Sequence, residues 1–233
     1  METNIYSEGQ ILLFDKPLDW TSFDLVNKVR HMIRHNFKIK KIKVGHAGTL
    51  DPLATGLMII CTGNTTKQIN QLTGLDKTYI ATIELGATTP TYDLESEVAD
   101  RFDFKHITRE LLKETLKQFM GNISQVPPIF SAIKIKGQKA YDLARRGKDI
   151  ELEARNITIH KIEILEFDLP TIKLLVHCSK GTYIRSLAND LGKALSSGGH
   201  LTGLIRTQIG EFKLENALDI EKFKRNLRPN ETN

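Results

Sequence analysis

The sequence predicts an α+β fold: a mixed, largely antiparallel central sheet with flanking helices. Three observations carry this. Residues 77–85, 157–167 and 171–178 alternate apolar and polar side chains, the period of half-buried strands. Residues 25–33, 111–119 and 184–195 place apolar side chains at helical spacing. The two kinds of segment follow one another without regular βαβ alternation, which argues against a doubly wound parallel sheet. The chain has 233 residues, 40% of them hydrophobic and 26% charged, enough for a substantial core. One large domain or two small ones fit that length. With no repeat or clear linker in view, a single domain over 1–233 is expected.

Residues 11–14 read as a short buried strand, stopped by Asp15-Lys16-Pro17. Thr21 and Ser22 can cap a helix whose Leu25, Val26, Val29, Met32 and Ile33 share one face. That helix runs into a cationic stretch, 34–43, with Arg34, Lys38, Lys40, Lys41 and Lys43, which suits phosphate contact. Residues 57–61 read as a buried strand, and 77–85 as another with Tyr79, Ala81, Ile83 and Leu85 on one face. A loop over 86–98 holds Asp93. Thr108 caps a helix with Leu111, Leu112, Leu116 and Phe119 inward, ended by Gly121. The strands at 157–167 and 171–178 are paired and joined near Asp168-Leu169-Pro170. Thr182 then caps a helix with Ile184, Leu187, Ala188, Leu191 and Leu195 as its core stripe, ended by Gly198-Gly199. Residues 206–212 read as a final strand and 218–223 as a short helix before a polar tail.

The span 122–149 differs in character. Val126-Pro127-Pro128 excludes helix interior. Lys134, Lys136, Lys139, Arg145, Arg146 and Lys148 follow, interleaved with Ile133, Ile135 and Tyr141. Cations mixed with apolar and aromatic side chains suit a flap that closes on RNA. The whole chain carries a formal net charge of +5, compatible with a nucleic-acid partner without demanding one.

Cys61 and Cys178 each sit in an apolar run, with no Cys-x-x-Cys and no disulfide framework, so a cytoplasmic location is expected. The first ten residues are polar and acidic, unlike a secretory signal, and no apolar run approaches membrane-spanning length. There is no phosphate-binding Gly-x-x-x-x-Gly-Lys-Ser/Thr loop, no nucleophile elbow and no metal-spaced cluster, so neither cofactor nor metal is expected. His31 and His35 stand one helical turn apart, but no third ligand accompanies them, and the basic end of a surface helix accounts for both.

The chain is organised around Gly45-His46-Ala47-Gly48-Thr49-Leu50-Asp51-Pro52-Leu53-Ala54-Thr55-Gly56. The glycines allow tight turns and close approach of another backbone. Pro52 pushes Asp51 toward an extended conformation, which aims a carboxylate into a cleft. Asp51 as helix N-cap with Pro52 at the first position is the competing reading. Asp51 has no acidic neighbour of the kind that marks glycoside hydrolysis. A lone carboxylate suits a reaction that needs a nucleophile or base but no water and no external proton donor.

This loop resembles the catalytic loop of the TruB family of RNA pseudouridine synthases. Lys77-Thr78-Tyr79, Ser179-Lys180-Gly181-Thr182-Tyr183-Ile184-Arg185 and Gly203-Leu204-Ile205-Arg206-Thr207 are similar to the family's other signature segments, in its order. The resemblance implies isomerisation of a uridine, the one at position 55 in the T-loop of tRNA, by base flipping. It identifies Asp51 with the essential aspartate, as nucleophile or as base. It implies that Tyr79 stacks on the uracil, that Tyr183 and Leu204 line the pocket, and that His46 helps hold the RNA open. Lys16 and Lys77 join the expected RNA-binding set. The span 122–149 becomes an inserted thumb. A complete copy of the small C-terminal RNA-binding PUA domain that many bacterial members of the family carry is not expected, because too little sequence follows Phe223.

Arg185 falls in the first turn of its helix, off the apolar stripe, where a cation opposes the helix dipole unless an anion answers it. The resemblance supplies Asp51 as that anion, with Asp93 a second candidate. A monomer acting on tRNA is the expected assembly. Three rivals are a dyskerin-type synthase guided by a partner RNA, a catalytically silent RNA-binding relative, and a nucleotide-binding enzyme using the glycine-rich loop.

Overall fold

The computed structural model describes residues 4–131, 133–135, 138–140, 146 and 152–227. In chain order these form α1 (Ile5–Glu8), β1 (Ile11–Lys16), α2 (Ser22–Asn36), β2 (Val44–His46), β3 (Ala54–Thr62), α3 (Ile69–Thr73) and β4 (Lys77–Leu85). There follow β5 (Ala87–Thr88), β6 (Asp100–Arg101), α4 (Arg109–Leu116), β7 (Gly121–Gln125), β8 (Lys134–Ile135) and β9 (Gln138–Lys139). The remainder is β10 (Arg155–Asp168), β11 (Thr171–Cys178), α5 (Ile184–Ala194), β12 (Gly199–Ile209), β13 (Phe212–Lys213) and α6 (Ile220–Asn226). The fold is α+β with a largely antiparallel central sheet, as the sequence predicts. Two compact units divide the chain: Met1–Tyr79 with Ile205–Asn233, and Ile80–Leu204.

In the first unit β3 is apolar on both faces, and Leu57 through Cys61 are fully buried. A strand of that composition needs cover on each side. β1 pairs with it antiparallel from Ile11↔Cys61 to Lys16↔Gly56, and β2 pairs from Val44↔Thr62 to His46↔Ile60. Ala47, Leu57, Ile59, Cys61, Leu72 and Ile209 form one core cluster. Gly56 has φ +103, and a Cβ there would lie 2.4 Å from the Arg206 carbonyl oxygen, so only glycine lets the two backbones approach this closely. α2 starts at Thr21, which closes a capping box with Asp24. Its Leu25, Val26, Val29 and Ile33 are buried, as their spacing predicts.

In the second unit β10 and β11 form a long antiparallel hairpin, Ile159↔Cys178 to Asp168↔Thr171. β7 adds to the other side of β10, from Gln125↔Arg155 to Gly121↔Ile159. Residues 122–125, at the start of the basic span, are therefore a sheet strand. β8 and β9 pair antiparallel within that span, Lys134↔Lys139 and Ile135↔Gln138. Lys136, Tyr141, Arg145 and Lys148 lie outside the described residues, and Arg146 is exposed.

Several local expectations shift. β1 continues through Asp15 and Lys16, because Lys16 finds buried acceptors and pairs with Gly56. Leu111 is 40% exposed, so only Leu112 and Leu116 anchor α4 in the core. Thr182 does not cap α5: its hydroxyl donates to the Ser179 carbonyl, and Tyr183 is the N-cap without a side-chain acceptor. The last long strand begins at Gly199, seven residues before the expected 206. Two glycines weaken the strand signal there, and burial among neighbours overrides them.

Candidate active site

The Asp51 loop lies wholly within the first unit. β2 delivers Gly45 and His46, and the Ala47 N–H donates to the Ile59 carbonyl at 2.9 Å. Asp51 opens a tight turn, since the Ala54 N–H donates back to its carbonyl at 3.1 Å with Pro52 in the second position. The helix-cap reading of Asp51-Pro52 is thereby overturned. Asp51 itself is half-buried.

Three buried side chains grip this loop by its backbone. The Ser22 hydroxyl accepts from the Leu50 N–H at 2.8 Å and donates to the Leu50 carbonyl at 3.0 Å. Lys16 Nζ donates to the carbonyls of Trp20 at 2.6 Å, Pro17 at 2.8 Å and Pro52 at 3.3 Å. Arg206 donates through Nε to the Leu57 carbonyl at 2.7 Å, and through Nη1 and Nη2 to the Thr49 and Gly48 carbonyls at 3.2 Å each. Lys16 and Arg206 are 0% and 1% exposed, so each must satisfy its charge inside the protein. Burial pushes the Lys16 ammonium down to about 8, and the Asp51 carboxylate opposes that shift.

Two of the residues expected to contact RNA, Lys16 and Lys77, are buried lysines bonded to backbone carbonyls. Lys16 is fully enclosed and spends its ammonium on carbonyls, so it supports the loop from beneath. Lys77 is 6% exposed and donates to the Leu75 and Thr73 carbonyls at 2.6 and 2.7 Å. Tyr79 is buried on the same face of β4 as Lys77. His46 is half-buried, and burial pushes its imidazole below the usual histidine range, which favours the neutral ring.

Arg185 belongs to the second unit. It is the second residue of α5 and only 5% exposed. Its Nη2 donates to the Phe130 carbonyl at 3.0 Å and its Nη1 to the Thr91 carbonyl at 3.3 Å. Asp93 Oδ2 stands 3.5 Å from Nη1. Asp93 is 4% exposed, and its other carboxylate oxygen accepts the Glu95 N–H at 3.0 Å. The anion that the helix dipole demands near Arg185 is thus present in the form of Asp93. Tyr183 is half-buried, and the Gln125 amide brackets its backbone, accepting from its N–H at 2.8 Å and donating to its carbonyl at 3.1 Å. Leu204 is 9% exposed in β12.

Sequence reasoning missed Arg206, Ser22 and Gln125 as supports. Arg206 stands inside a recognised motif, yet an arginine read as the start of a strand gives no sign of what it grips. Ser22 and Gln125 carry no local signal, because their partners are 28 and 58 residues away. Among the described residues no three His, Cys, Asp or Glu side chains cluster in a way that could hold a metal ion. No helix among them is long and apolar enough to cross a membrane.

Residues 34–184 match the family described as TruB family pseudouridylate synthase, N-terminal domain. A protein of Phocaeicola vulgatus named tRNA pseudouridine synthase B is 59% identical over 218 residues, covering 94% of this chain and 93% of its own. A protein of the same name from Flavobacterium johnsoniae is 55% identical, with 95% and 97% covered. Another from Francisella philomiragia is 50% identical over 199 residues, but only 65% of its length is matched. Among solved structures, a chain of a Cbf5–Nop10–Gar1 complex superposes with a TM-score of 0.72 at 26% identity, covering 94% of this chain and 54% of that one. This chain therefore spans about half the length of that structural neighbour. With its four motifs lying on this fold and a family match over well more than half its length, the chain belongs to the TruB family of pseudouridylate synthases, a family of isomerases.

Proposed function

We propose that this chain converts uridine to pseudouridine in tRNA, at position 55 of the T-loop. The observation that carries the reading is the Asp51 turn: a half-buried carboxylate opens a tight turn in a loop whose carbonyls are held by Lys16, Ser22 and Arg206. The names of the most similar relatives support tRNA as substrate. In this isomerisation the uracil leaves C1′ through nitrogen and rejoins through carbon, so the substrate supplies every atom. A positioned carboxylate suffices, acting as nucleophile or as base.

The uridine must leave its stack to meet Asp51. On this reading Tyr79 stacks on the flipped base, Tyr183 and Leu204 bound its pocket, and His46 keeps the RNA open. By the resemblance, Arg185 is the cation that aims Asp51, while Asp93 holds the guanidinium from its own side. The resemblance supports the pairing of Arg185 with Asp51. The exposed cations Lys38, Lys40, Lys41 and Lys43, with the span 122–149 as thumb, take the phosphates. The two units act as one catalytic domain, and the enzyme is a cytoplasmic monomer that needs neither metal nor cofactor.

The test is incubation of the protein alone with unmodified tRNA, followed by mapping of new pseudouridine. Product at position 55 is expected. Product at no uridine would overturn the enzymatic reading and leave an RNA-binding one. The likeness to a Cbf5 chain favours one alternative, a synthase that works only with partner components. Turnover by the isolated chain removes it.

A further inference from the structure

Between Asp24 and Asp51 the chain has no acidic residue and seven cations: Lys28, Arg30, Arg34, Lys38, Lys40, Lys41 and Lys43. The whole chain has a formal net charge of +5, so everything outside this stretch is net negative. The excess positive charge of the protein is concentrated on α2 and the loop after it. Arg30 is committed internally, donating to Asn27 Oδ1 at 2.7 Å and the Val44 carbonyl at 3.0 Å. The other six are exposed.

α2 and α6 enclose a groove of about 310 Å³. From α2 come Lys28, His31 and His35, one helical turn apart and on one face. From α6 comes Lys224, with Glu221 one turn before it. Met32 and Ile220 supply apolar lining. The rings of His31 and His35 are stacked, with centroids 6.2 Å apart and planes inclined by 24°. Each imidazole carries a ring N–H donor in either protonation state. The groove thus presents two ammonium groups and two imidazole donors against one carboxylate. Its volume lies at the low end of ligand sites, which run from about 300 to 1,000 Å³.

We propose that this groove is a second RNA-binding site, which takes a backbone phosphate of the substrate RNA away from the flipped uridine. The inference rests on the reading that the Asp51 loop receives RNA. Ser22, at the start of α2, is bonded to Leu50 of that loop. His31 and His35 lie nine and thirteen residues further along α2, or about 14–20 Å at 1.5 Å per residue. That distance is several nucleotides, so the groove engages a part of the RNA distinct from the reacting base. Lys28 and Lys224 supply charge to a phosphodiester, and the histidines supply directed N–H bonds. The exposed cations Lys38, Lys40, Lys41 and Lys43 follow α2 in the chain and lead to β2.

Two variants of exposed residues test this without threatening the fold. Lys28→Gln with Lys224→Gln should weaken tRNA binding several-fold and flatten the slope of log affinity against log salt by about 0.7–0.9 for each lysine. Glu221→Gln removes the opposing charge and should tighten binding. The single-turnover rate at saturating tRNA should stay at the parental value in both. Salt slopes unchanged in both variants would overturn the proposal, and so would a change in oligomeric state with RNA binding intact, which would make the groove a contact between copies. Binding is read here apart from chemistry. A parental protein that binds tRNA but makes no pseudouridine would therefore sink the proposed reaction and leave this comparison standing.

Discussion

The Asp51 loop and the Arg185 corner are held in different ways. Around Asp51, itself half-buried, Lys16, Ser22 and Arg206 bond to the carbonyls and amides of its neighbours in the chain. Around Arg185 the side chain itself is gripped, by Asp93 and by the carbonyls of Thr91 and Phe130, and is nearly out of solvent. The first arrangement suits a group that must meet another molecule. The second suits a fixed charge that acts without moving, because a buried cation tied to several acceptors has little rotamer freedom left. The difference separates two kinds of damage: one to the reacting group, the other to the frame that aims it.

The largest effect is expected at Asp51. Asp51→Asn is nearly isosteric and leaves the gripping side chains in place, so RNA should still bind. Neither nucleophile nor base survives, and turnover should fall by about 10⁴-fold or more. Single-turnover isomerisation and filter binding on the same variant measure both halves. Near-parental turnover would place the chemistry on another carboxylate.

At Arg185 the expected loss is smaller but still large. Arg185→Lys keeps the charge and loses the planar fork that reaches Asp93, Thr91 and Phe130, so the rate should drop by about 10²–10³-fold with affinity changed far less. Asp93→Asn should follow in the same direction with a milder loss, since the carbonyl acceptors remain. A collapse of binding in step with an intact saturated rate would make Arg185 a phosphate contact.

Arg206 sharpens the contrast on the side of the frame. Arg206→Gln takes the guanidinium from the carbonyls of Gly48, Thr49 and Leu57; Leu57 is buried while Thr49 is exposed, so the main loss, about 1–3 kcal/mol, falls at the Leu57 carbonyl. A drop in thermal midpoint of roughly 5–10 °C is expected for a chain of this size. Equal stability in the variant would mean that water or another donor replaces the guanidinium.

Much of this was legible in the sequence, and the exceptions share a cause. The β4 pattern Lys77–Leu85 alternates buried and half-buried without a break, as its period predicts. β3 and the faces of α2 and α5 follow from local pattern in the same way. The four motif segments were legible as motifs. What local pattern could not show is which side chains turn inward to serve a distant backbone. Lys16 and Lys77 were expected as RNA contacts, and nothing in the local pattern shows that their ammonium groups turn inward to the carbonyls of Pro17, Trp20 and Pro52 and of Thr73 and Leu75. The same holds for the extra residues of β12, whose glycines read as a break until neighbouring strands are in place. Asp93 was legible as a second candidate anion for Arg185, and the structure places its carboxylate 3.5 Å from that guanidinium, 92 residues apart in the chain.

The smallest effect concerns pH, and it sets the two regions apart again. Lys16 titrates at about 8, well below its ordinary 10.5, chiefly because burial disfavours the ammonium. Its unfolded-state value is the ordinary one, so between these two limits the unfolded chain holds a proton that the folded chain has released. Stability from this group therefore rises with pH across that window and is flat below it. Activity should move the other way. A neutral amine has one donor fewer and no charge to strengthen its bonds to the Trp20, Pro17 and Pro52 carbonyls, so the turn bearing Asp51 is held less firmly. The single-turnover rate should thus decline gently above about 8, without loss of thermal stability from this residue. Lys16→Met removes the titrating group and should lower the rate at neutral pH while abolishing that alkaline limb. Persistence of the same limb in Lys16→Met would assign it to another group, and the grip on the Asp51 loop would then be independent of the lysine's charge.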